Sequence, residues 1–571
     1  MNRARGPAIR DAWRLTKLYW LSEEKWSAWG LLIGVVILTL GNVYVGVRIN
    51  EWNRAFYNAL QAFDSAELFR QLGIFGILVA FGISMSVNAI YLGQMLQNRW
   101  RRWLTRTYIA SWLAGRAYYH LQFLSTTDNP DQRIAEDLSL FTTYVMNLSV
   151  GLISSVVSLS SFLVILWGLS GSADIPIGTW GTVHIPAYLV WSALLYGGIG
   201  TWITIKIGRP LVPLNFARQR FEADFRFSLV RLRENAESVA FYGGEPAENG
   251  VFQERFDKVF ENFWHIMKRQ RRLSWFTLGY SQVAAIFPVM VIAPRYFGKL
   301  ITLGGLMQVV NAFSFVQNSL SFIINSYPDI AALQAVTQRL NGFEKRLDAV
   351  HNGICVPRQM VLRRGGTGVE VKGLDLNYPD GTALLRGVSF VVAKGERLLI
   401  TGPNGTGKST LLRAIAVIWP FTRGEIRLGE GRIFFIGQRP YLPLSTLAEA
   451  LVYPLTKTDS FPQSRLAAAL EEVGLGALAS ELDVLEQWPQ RLSPGEQQRL
   501  AFARVLLAKP ACVFLDEATS SVDAPAEARL YGLLRAATWR PVVVSVGHSE
   551  ALPKFHDRVL DLAAFQPEQG E

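Results

Sequence analysis

The chain has 571 residues, half of them apolar and only 18% charged, with a formal charge of +11. An average soluble chain carries about 25% charged residues, and the deficit falls within the first 340 or so, so a single water-soluble domain is excluded. Basic residues cluster beside apolar runs (Arg99, Arg101, Arg102, Arg106; Lys206, Arg209; Lys268, Arg269, Arg271, Arg272), which argues for positive-inside anchoring next to membrane lipid and against a nucleic-acid partner.

In chain order, the first 25 residues or so are basic and aromatic, without the apolar core and cleavage site of a signal peptide. "DAWRLTKLYW" reads as an interfacial helix with the N-terminus in the cytoplasm. Roughly six apolar runs of about 20 residues follow. They centre on Gly30–Arg48, Leu72–Gln94, Met146–Leu169, Ile185–Ile207, Phe276–Tyr296 and Leu306–Ile324. Arg-rich segments Arg99–Arg133 and Lys206–Arg272 lie inside by charge counting, and Ser170–His184, without Lys or Arg, lies outside. The turn near Arg295 and Lys299 breaks the bias mildly. Both internal loops keep helical periodicity, so the spans are expected to run on into the cytoplasm.

Some spans are polar on one face. Gln308, Asn311 and Asn318 share a helical face, which fits a water-filled cavity or interhelical hydrogen bonds. Ser154, Ser155, Ser158, Ser160 and Ser161 fit close helix packing. "EWNRAFYNALQ", Glu51 to Gln61, follows the first run without a break. Trp52, Phe56 and Leu60 form an i, i+4 stripe while Glu51, Asn53, Arg54 and Asn58 face elsewhere. The stretch is either an interfacial anchor or a cavity lining that contacts a polar or cationic substrate. The only cysteines, Cys355 and Cys512, suggest neither disulfide nor zinc site.

The expected organisation is a helical membrane domain over residues 1–340, a linker over 341–365 and a nucleotide-binding domain over 366–571. In the last, "VEVKGLDL", "VSFVVA", "ERLLIT", "EIRL", "RIFFIG", "ACVFLDE" and "PVVVSVGH" alternate with helical patterns, which predicts an α/β fold with a mainly parallel core sheet. "TGPNGTGKST" lies between a strand and a helix and fits G-x-x-x-x-G-K-[ST]. The phosphate cradle is Gly402, Pro403, Asn404, Gly405, Thr406, Gly407, Lys408, Ser409 and Thr410: backbone N–H groups wrap phosphate oxygens, Lys408 reaches the β- and γ-phosphates, and Ser409 meets Mg²⁺. In "ACVFLDEATSSVD", Asp516 emerges at a buried strand end beside Mg²⁺, and Glu517 is placed to act as general base on the attacking water. In "LSPGEQQRLAFAR", Ser493 to Glu496 is a capping box with Pro494 at the first helical position, and such an N-terminus is also an anion site.

The "LSPGEQQRLAFAR" stretch stands shortly before the Asp516 strand, where the signature sequence of ABC transporter ATPases stands, and residues 366–560 resemble that family. The resemblance implies ATP and Mg²⁺ as cofactors. It also implies that Gln438 is the lid glutamine reaching the metal, Ser520–Asp523 the D-loop, His548 the switch histidine and Tyr378 the aromatic that stacks on adenine. Pro494 replaces the usual first glycine of the signature, leaving Ser493 and Gly495 to bind. In this family one subunit's P-loop is completed by the other's signature, so a homodimer with two composite sites is implied.

"EWNRAFYNALQ", "NRWRRWLT", "NPDQRIAED", "LNFARQRFEADFRFSLVRLRENAESVAFYGGE" and "APRYFGKLITLGGLMQ" resemble the SbmA/BacA family of bacterial peptide and cobalamin uptake proteins and the related peroxisomal fatty acyl-CoA transporters of subfamily D. With its own ATPase domain the chain looks like the BclA/YddA-like fused members. The resemblance implies an exporter-like (type IV) helix arrangement. It further implies ATP-driven import of peptides, antimicrobial peptides included, or of hydrophilic solutes such as cobalamin across the bacterial inner membrane, with both termini cytoplasmic. Alternatives are a lipid or acyl-CoA translocator or exporter of the same fold, or an ATP-gated regulatory membrane protein.

Overall fold

In the computed structural model, which describes residues 5–123, 129–176, 182–353, 359–455 and 461–567, the chain divides into two compact units. The first holds Met1–Ala110 and Asp128–Glu344, the second Ser111–Thr127 and Lys345–Glu571. Cys355 lies outside the described residues; Cys512 is buried and unpaired.

The first unit is helical. It runs through α1 (Arg5–Trp20), α2 (Lys25–Gln61) and α3 (Ser65–Leu113). After α4 (Ala117–His120), in the other unit, come α5 (Pro130–Gln132), α6 (Leu138–Ser170), the hairpin β1 (Ser172–Pro176) and β2 (Thr182–Pro186), and α7 (Tyr188–Gly208). The rest is α8 (Leu211–Glu234), α9 (Ala236–Tyr242), α10 (Glu245–Phe297), α11 (Leu303–Asn325) and α12 (Tyr327–His351). Among the described residues, five helices are long and apolar enough to cross a membrane: those carrying α2, α3, α6, α7 and α10. The sixth apolar run forms α11, whose 23 residues span about 34 Å but whose amide stripe lowers its apolarity. α10 continues for 53 residues, well past its apolar window.

α1 covers the stretch "DAWRLTKLYW". It buries Leu15 and Tyr19, with Tyr19 stacked 5.7 Å from Trp100 of α3, and keeps Trp13 outside. α6 packs on α11 through Phe162 and Phe315, stacked at 4.1 Å. Ser160, exposed on α6, returns its hydroxyl to the Val156 carbonyl of its own helix. Asp137, buried just before α6, accepts from Arg133 at 2.8 Å and from both arms of Arg339 on α12 at 2.6 and 2.9 Å.

Within 341–365 the described residues are largely helix and strand. α12 continues to His351, burying Val336, Leu340, Phe343, Leu347 and Val350, a 4-3-4-3 spacing that keeps one apolar seam along a helix. Its far end is β3 (Gln359–Arg364), parallel to β7.

The second unit has two sheets. β3 joins β4 (Val369–Asn377), β5 (Ala383–Val392) and β7 (Thr422–Leu428) in the order β3-β7-β4-β5. The core sheet has the order β13-β6-β12-β11-β8, from β6 (Arg397–Thr401), β8 (Ile433–Ile436), β11 (Cys512–Asp516), β12 (Val542–Val546) and β13 (Arg558–Asp561). Every pairing in it is parallel. β11 and β12 are apolar and buried almost throughout, as a sheet covered on both faces requires. Around it lie α13 (Lys408–Ile415), the short pair β9 (Ser445–Thr446) and β10 (Leu485–Glu486), α14 (Leu447–Val452), α15 (Gln463–Glu472), α16 (Trp488–Arg491), α17 (Pro494–Ala508) and α18 (Ala524–Arg535).

The loop after α3 belongs to this unit. Gly115 and Arg116 both take left-handed φ, +58° and +59°, and turn the chain. Arg116 then donates to the Ala416 carbonyl at 2.8 Å. Phe123 stands edge-on to Trp419 and Phe421 at 5.3 and 5.9 Å.

Candidate active site

Parallel strands bring their carboxyl ends to one edge, where α/β sheets bind ligands. Here β6 delivers Gly402–Thr410, β8 delivers Gln438, β11 delivers Asp516 and Glu517, and β12 delivers His548. Gly402 has φ +140° and Gly407 +93°, values closed to side chains with a Cβ. A Cβ on Gly402 would also press on the Thr406 hydroxyl at 3.1 Å. The loop closes on Lys408, which is buried and donates from Nζ to the carbonyls of Gly402 and Pro403 at 2.8 and 2.9 Å.

Ser409 Oγ donates to Asp516 Oδ1 at 2.9 Å. Burial pushes the Asp516 carboxyl up; the Ser409 hydrogen bond pulls the other way, and the Glu517 charge adds to the rise. A hydroxyl and a carboxylate side by side are the hard oxygen donors Mg²⁺ accepts from a protein when substrate phosphates and water supply the rest. Glu517 has φ +50°, a left-handed strain uncommon outside glycine. Its N–H is tied to the Val546 carbonyl at 3.0 Å. Its Oε1 lies 3.6 Å from His548 Nε2.

Ser493 caps α17. Its hydroxyl accepts from the Glu496 N–H at 3.4 Å, while Glu496 Oε2 accepts from the Ser493 N–H and hydroxyl at 2.9 and 2.8 Å. These bonds, the hydroxyl first, hold the Glu496 carboxyl below its ordinary range. Gly495 is needed for close approach: a Cβ there would meet the Ser521 carbonyl at 2.6 Å. Asp523 is the N-cap residue of α18. Tyr378 lies on the other sheet, in the turn after β4. It lines a cavity of about 300 Å³ with Asp375, Asn377, Arg386 and Phe421, and 42% of its surface is exposed.

Sequence reasoning missed Gln498. Fully buried, it donates to the Gln438 carbonyl at 3.0 Å and to Ser520 Oγ at 3.1 Å, and accepts from the Ser521 N–H at 3.0 Å. One amide thus joins the Gln438 loop, the capped helix and the turn after Glu517. Its only sequence signal was a place within "LSPGEQQRLAFAR".

Beneath the site, His556 bonds the Leu552 carbonyl at 2.7 Å and Ser545 Oγ at 2.8 Å. Burial pushes its imidazole below the ordinary histidine range, against the opposing pull of the Leu552 carbonyl. The fold therefore holds the neutral ring, and between the two pKa values the unfolded chain binds the extra proton. Stability from this group is complete above about pH 6.5 and declines as pH falls toward the lowered value. The thermal midpoint of this unit should drop on acidification below about pH 6.5, with a shallower slope in His556→Gln.

In the helical unit, the polar end of α2 is a seam against α11. Gly46 faces Phe315, whose ring would lie 3.6 Å from a Cβ added there. Four residues on, Asn50 Nδ2 donates to the Gln308 carbonyl at 2.9 Å. A Cβ on Gly304 would clash with the Arg54 carbonyl. Asn58 and Gln61 accept the N–H groups of Gly304 and Leu303 at 3.0 and 2.9 Å, capping the first turn of α11. Trp52 stacks on Phe56 and on Phe75 of α3 and donates to the Gln71 carbonyl at 2.8 Å. Most of "EWNRAFYNALQ" is thus helix-to-helix contact, and Gln308 is buried while Asn318 is exposed. Arg48 and Glu51, paired with each other, remain about half exposed, and Arg54 is exposed.

Residues 15–297 match the family described as ABC transporter transmembrane region 2, and residues 385–520 match the ABC transporter family. An uncharacterized ABC transporter ATP-binding protein of Haemophilus influenzae is 37% identical over 92% of this chain and 88% of its own. The inner membrane ABC transporter ATP-binding protein YddA of Escherichia coli is 34% identical over 96% and 97%. The human lysosomal cobalamin transporter ABCD4 is 26% identical over 94% and 92%. In fold, the chain is similar to a bacterial Atm1-family ABC exporter with ATP bound, with a TM-score of 0.70 over 93% of each chain at 19% identity.

Proposed function

The chain belongs to the ABC transporters, as a type 2 transmembrane region fused to one ATPase domain, and from that membership we propose that it works as a homodimer importing peptides or other hydrophilic solutes across the bacterial inner membrane. It is a multi-pass membrane protein that binds ATP and couples ATP hydrolysis to transport. In this reading Lys408 and the loop N–H groups hold the β- and γ-phosphates, and Tyr378 stacks on adenine. Ser409 and Asp516, with Gln438 from the lid, would hold Mg²⁺, which would supply neutralisation of the charge developing on the phosphates. Glu517 takes the proton from water as its oxygen attacks the γ-phosphorus and the bridging oxygen leaves with ADP. His548 orients the γ-phosphate and water.

Two observations support a second copy. Ser493 is exposed at the α17 N-terminus, and among the described hydrogen bonds neither it nor Gly495 meets its own P-loop, which suits them to another subunit's P-loop, with Asp523 nearby. The hairpin of α8 to α10, too charged for lipid, exposes Phe216, Phe227, Phe241, Tyr242 and Phe256, an apolar surface that a partner subunit would cover. For hydrophilic cargo, the observation that carries most weight is the exposed Arg48–Glu51 pair with Arg54, the charged groups of that stretch left outside the seam. Burial of Gln308 removes one of three amides from a cavity wall, while Asn318 remains exposed.

Cells lacking the protein should resist an internally acting antimicrobial peptide. Wild type should restore sensitivity and Glu517→Gln should not. An export role gives the opposite sign, with sensitised deletion cells. Glu51→Lys should change uptake of cationic peptides while leaving ATPase intact, since Glu51 belongs to the helical unit and the nucleotide-site residues belong to the other. Unchanged uptake in Glu51→Lys would leave the whole stretch as an anchor.

A further inference from the structure

Glu527 was singled out by nothing in the sequence, yet it is a carboxylate buried to 5% exposure in the first turn of α18. Both of its oxygens are used. Oε1 accepts from the Thr519 hydroxyl at 2.7 Å, and Oε2 accepts from the Ser549 hydroxyl at 2.8 Å. Such short bonds to an ionised acceptor are about twice as strong as neutral ones. No Lys or Arg pairs with it among the described ion pairs. The carboxylate sits at the positive end of the helix dipole, and its backbone N–H is held by the Asp523 carbonyl at 2.8 Å.

The two hydroxyls belong to different loops. Thr519 follows Glu517 by two residues, and Ser549 follows His548 by one. Glu527 therefore ties the β11 loop to the β12 loop just behind the two side chains that face the reacting phosphate. Those side chains approach to 3.6 Å. The tie is backed by a second layer: Tyr531, buried one turn along α18, packs edge-on against His556, and Ser545 bonds His556. Packing alone would be served by an apolar side chain at lower desolvation cost. A buried carboxylate bridging two loops is suited to fixing their separation.

We propose that Glu527 is a positioning residue for ATP hydrolysis, whose carboxylate, through Thr519 and Ser549, sets the spacing of Glu517 and His548 without touching nucleotide. The proposal rests on the reading of Glu517 as base and His548 as switch histidine.

The test uses the full chain in nanodiscs and measures kcat and KM for ATP, with thermal midpoints. Misplacement of reacting groups by about 1 Å can cost about 10²-fold. Glu527→Ala should lower kcat by up to about that factor with KM for ATP near wild type. Glu527→Gln, which keeps an acceptor for Thr519, should recover part of the loss. Combined with His548→Ala, Glu527→Ala should add little, because both act through one spacing. If Glu527→Ala fails to fold, Ser549→Ala removes one arm and should lower kcat alone. Unchanged kcat in Glu527→Ala or in Ser549→Ala, or losses that add in full to that of His548→Ala, would overturn the proposal. Wild-type turnover in Glu517→Gln or His548→Ala would instead overturn the catalytic reading beneath it.

Discussion

ATP turnover by the Glu517→Gln protein falls by about 10²–10⁴-fold, the usual cost of losing a general base, while ATP binding persists. The amide keeps the size and hydrogen-bonding reach of the carboxylate and cannot take a proton from water. Lys408, Ser409 and Asp516 are untouched, so the nucleotide is still gripped. The backbone tie from the Glu517 N–H to the Val546 carbonyl does not depend on the side chain, so the loop keeps its left-handed turn. The protein should accumulate with ATP bound and subunits closed, detectable as retained nucleotide after gel filtration and as a cross-link between the α17 end of one subunit and the P-loop of the other. Near-normal turnover would remove Glu517 from its role.

Mixing two dead proteins restores activity if the site is shared. Lys408→Ala removes the ammonium that the Gly402 and Pro403 carbonyls aim into the loop. Ser493→Ala removes the hydroxyl at the α17 N-terminus. Each homodimer carries its defect in both composite sites and should be inactive. In the heterodimer both defects fall into one site and the other is whole, so ATPase should return on co-reconstitution at constant total protein. Full activity in either variant alone would contradict a site built from two subunits. Pro494 bears on the same experiment. It lacks an N–H, but at the first helical position that N–H has no intrahelical partner, so the capping box survives it.

The parts of the site readable in advance were those written as contiguous stretches. "TGPNGTGKST" carries its geometry in its glycines, and "ACVFLDE" announces a buried strand ending in two acids. What escaped were single polar residues whose partners are distant in sequence. Gln498 reaches Gln438, and Glu527 reaches Ser549, across turns that exist only after the strands have paired. The helix partners of the polar end of α2 escaped for a related reason. Asn58 and Gln61 cap the first turn of a helix that lies more than 240 residues on. The continuation of α12 into the supposed linker was legible, since Val336, Leu340, Phe343, Leu347 and Val350 already spell a helical seam. β3 was harder, because an edge strand of mixed residues has little pattern of its own.

The loop that carries Phe123 onto Trp419 and Phe421 sets an order of events during synthesis. Phe123 leaves the ribosome roughly 300 residues before the aromatic pair it will meet, a wait of about 15–60 s at ordinary elongation rates. The ATPase unit therefore finishes folding late, and only by collecting a piece laid down among the membrane helices. A fragment beginning at Lys345 would present Trp419 and Phe421 without that cover, and should be stickier and less stable than the same residues in the full chain. Supplying residues 111–127 on the fragment's N-terminus through a flexible tether should correct both faults.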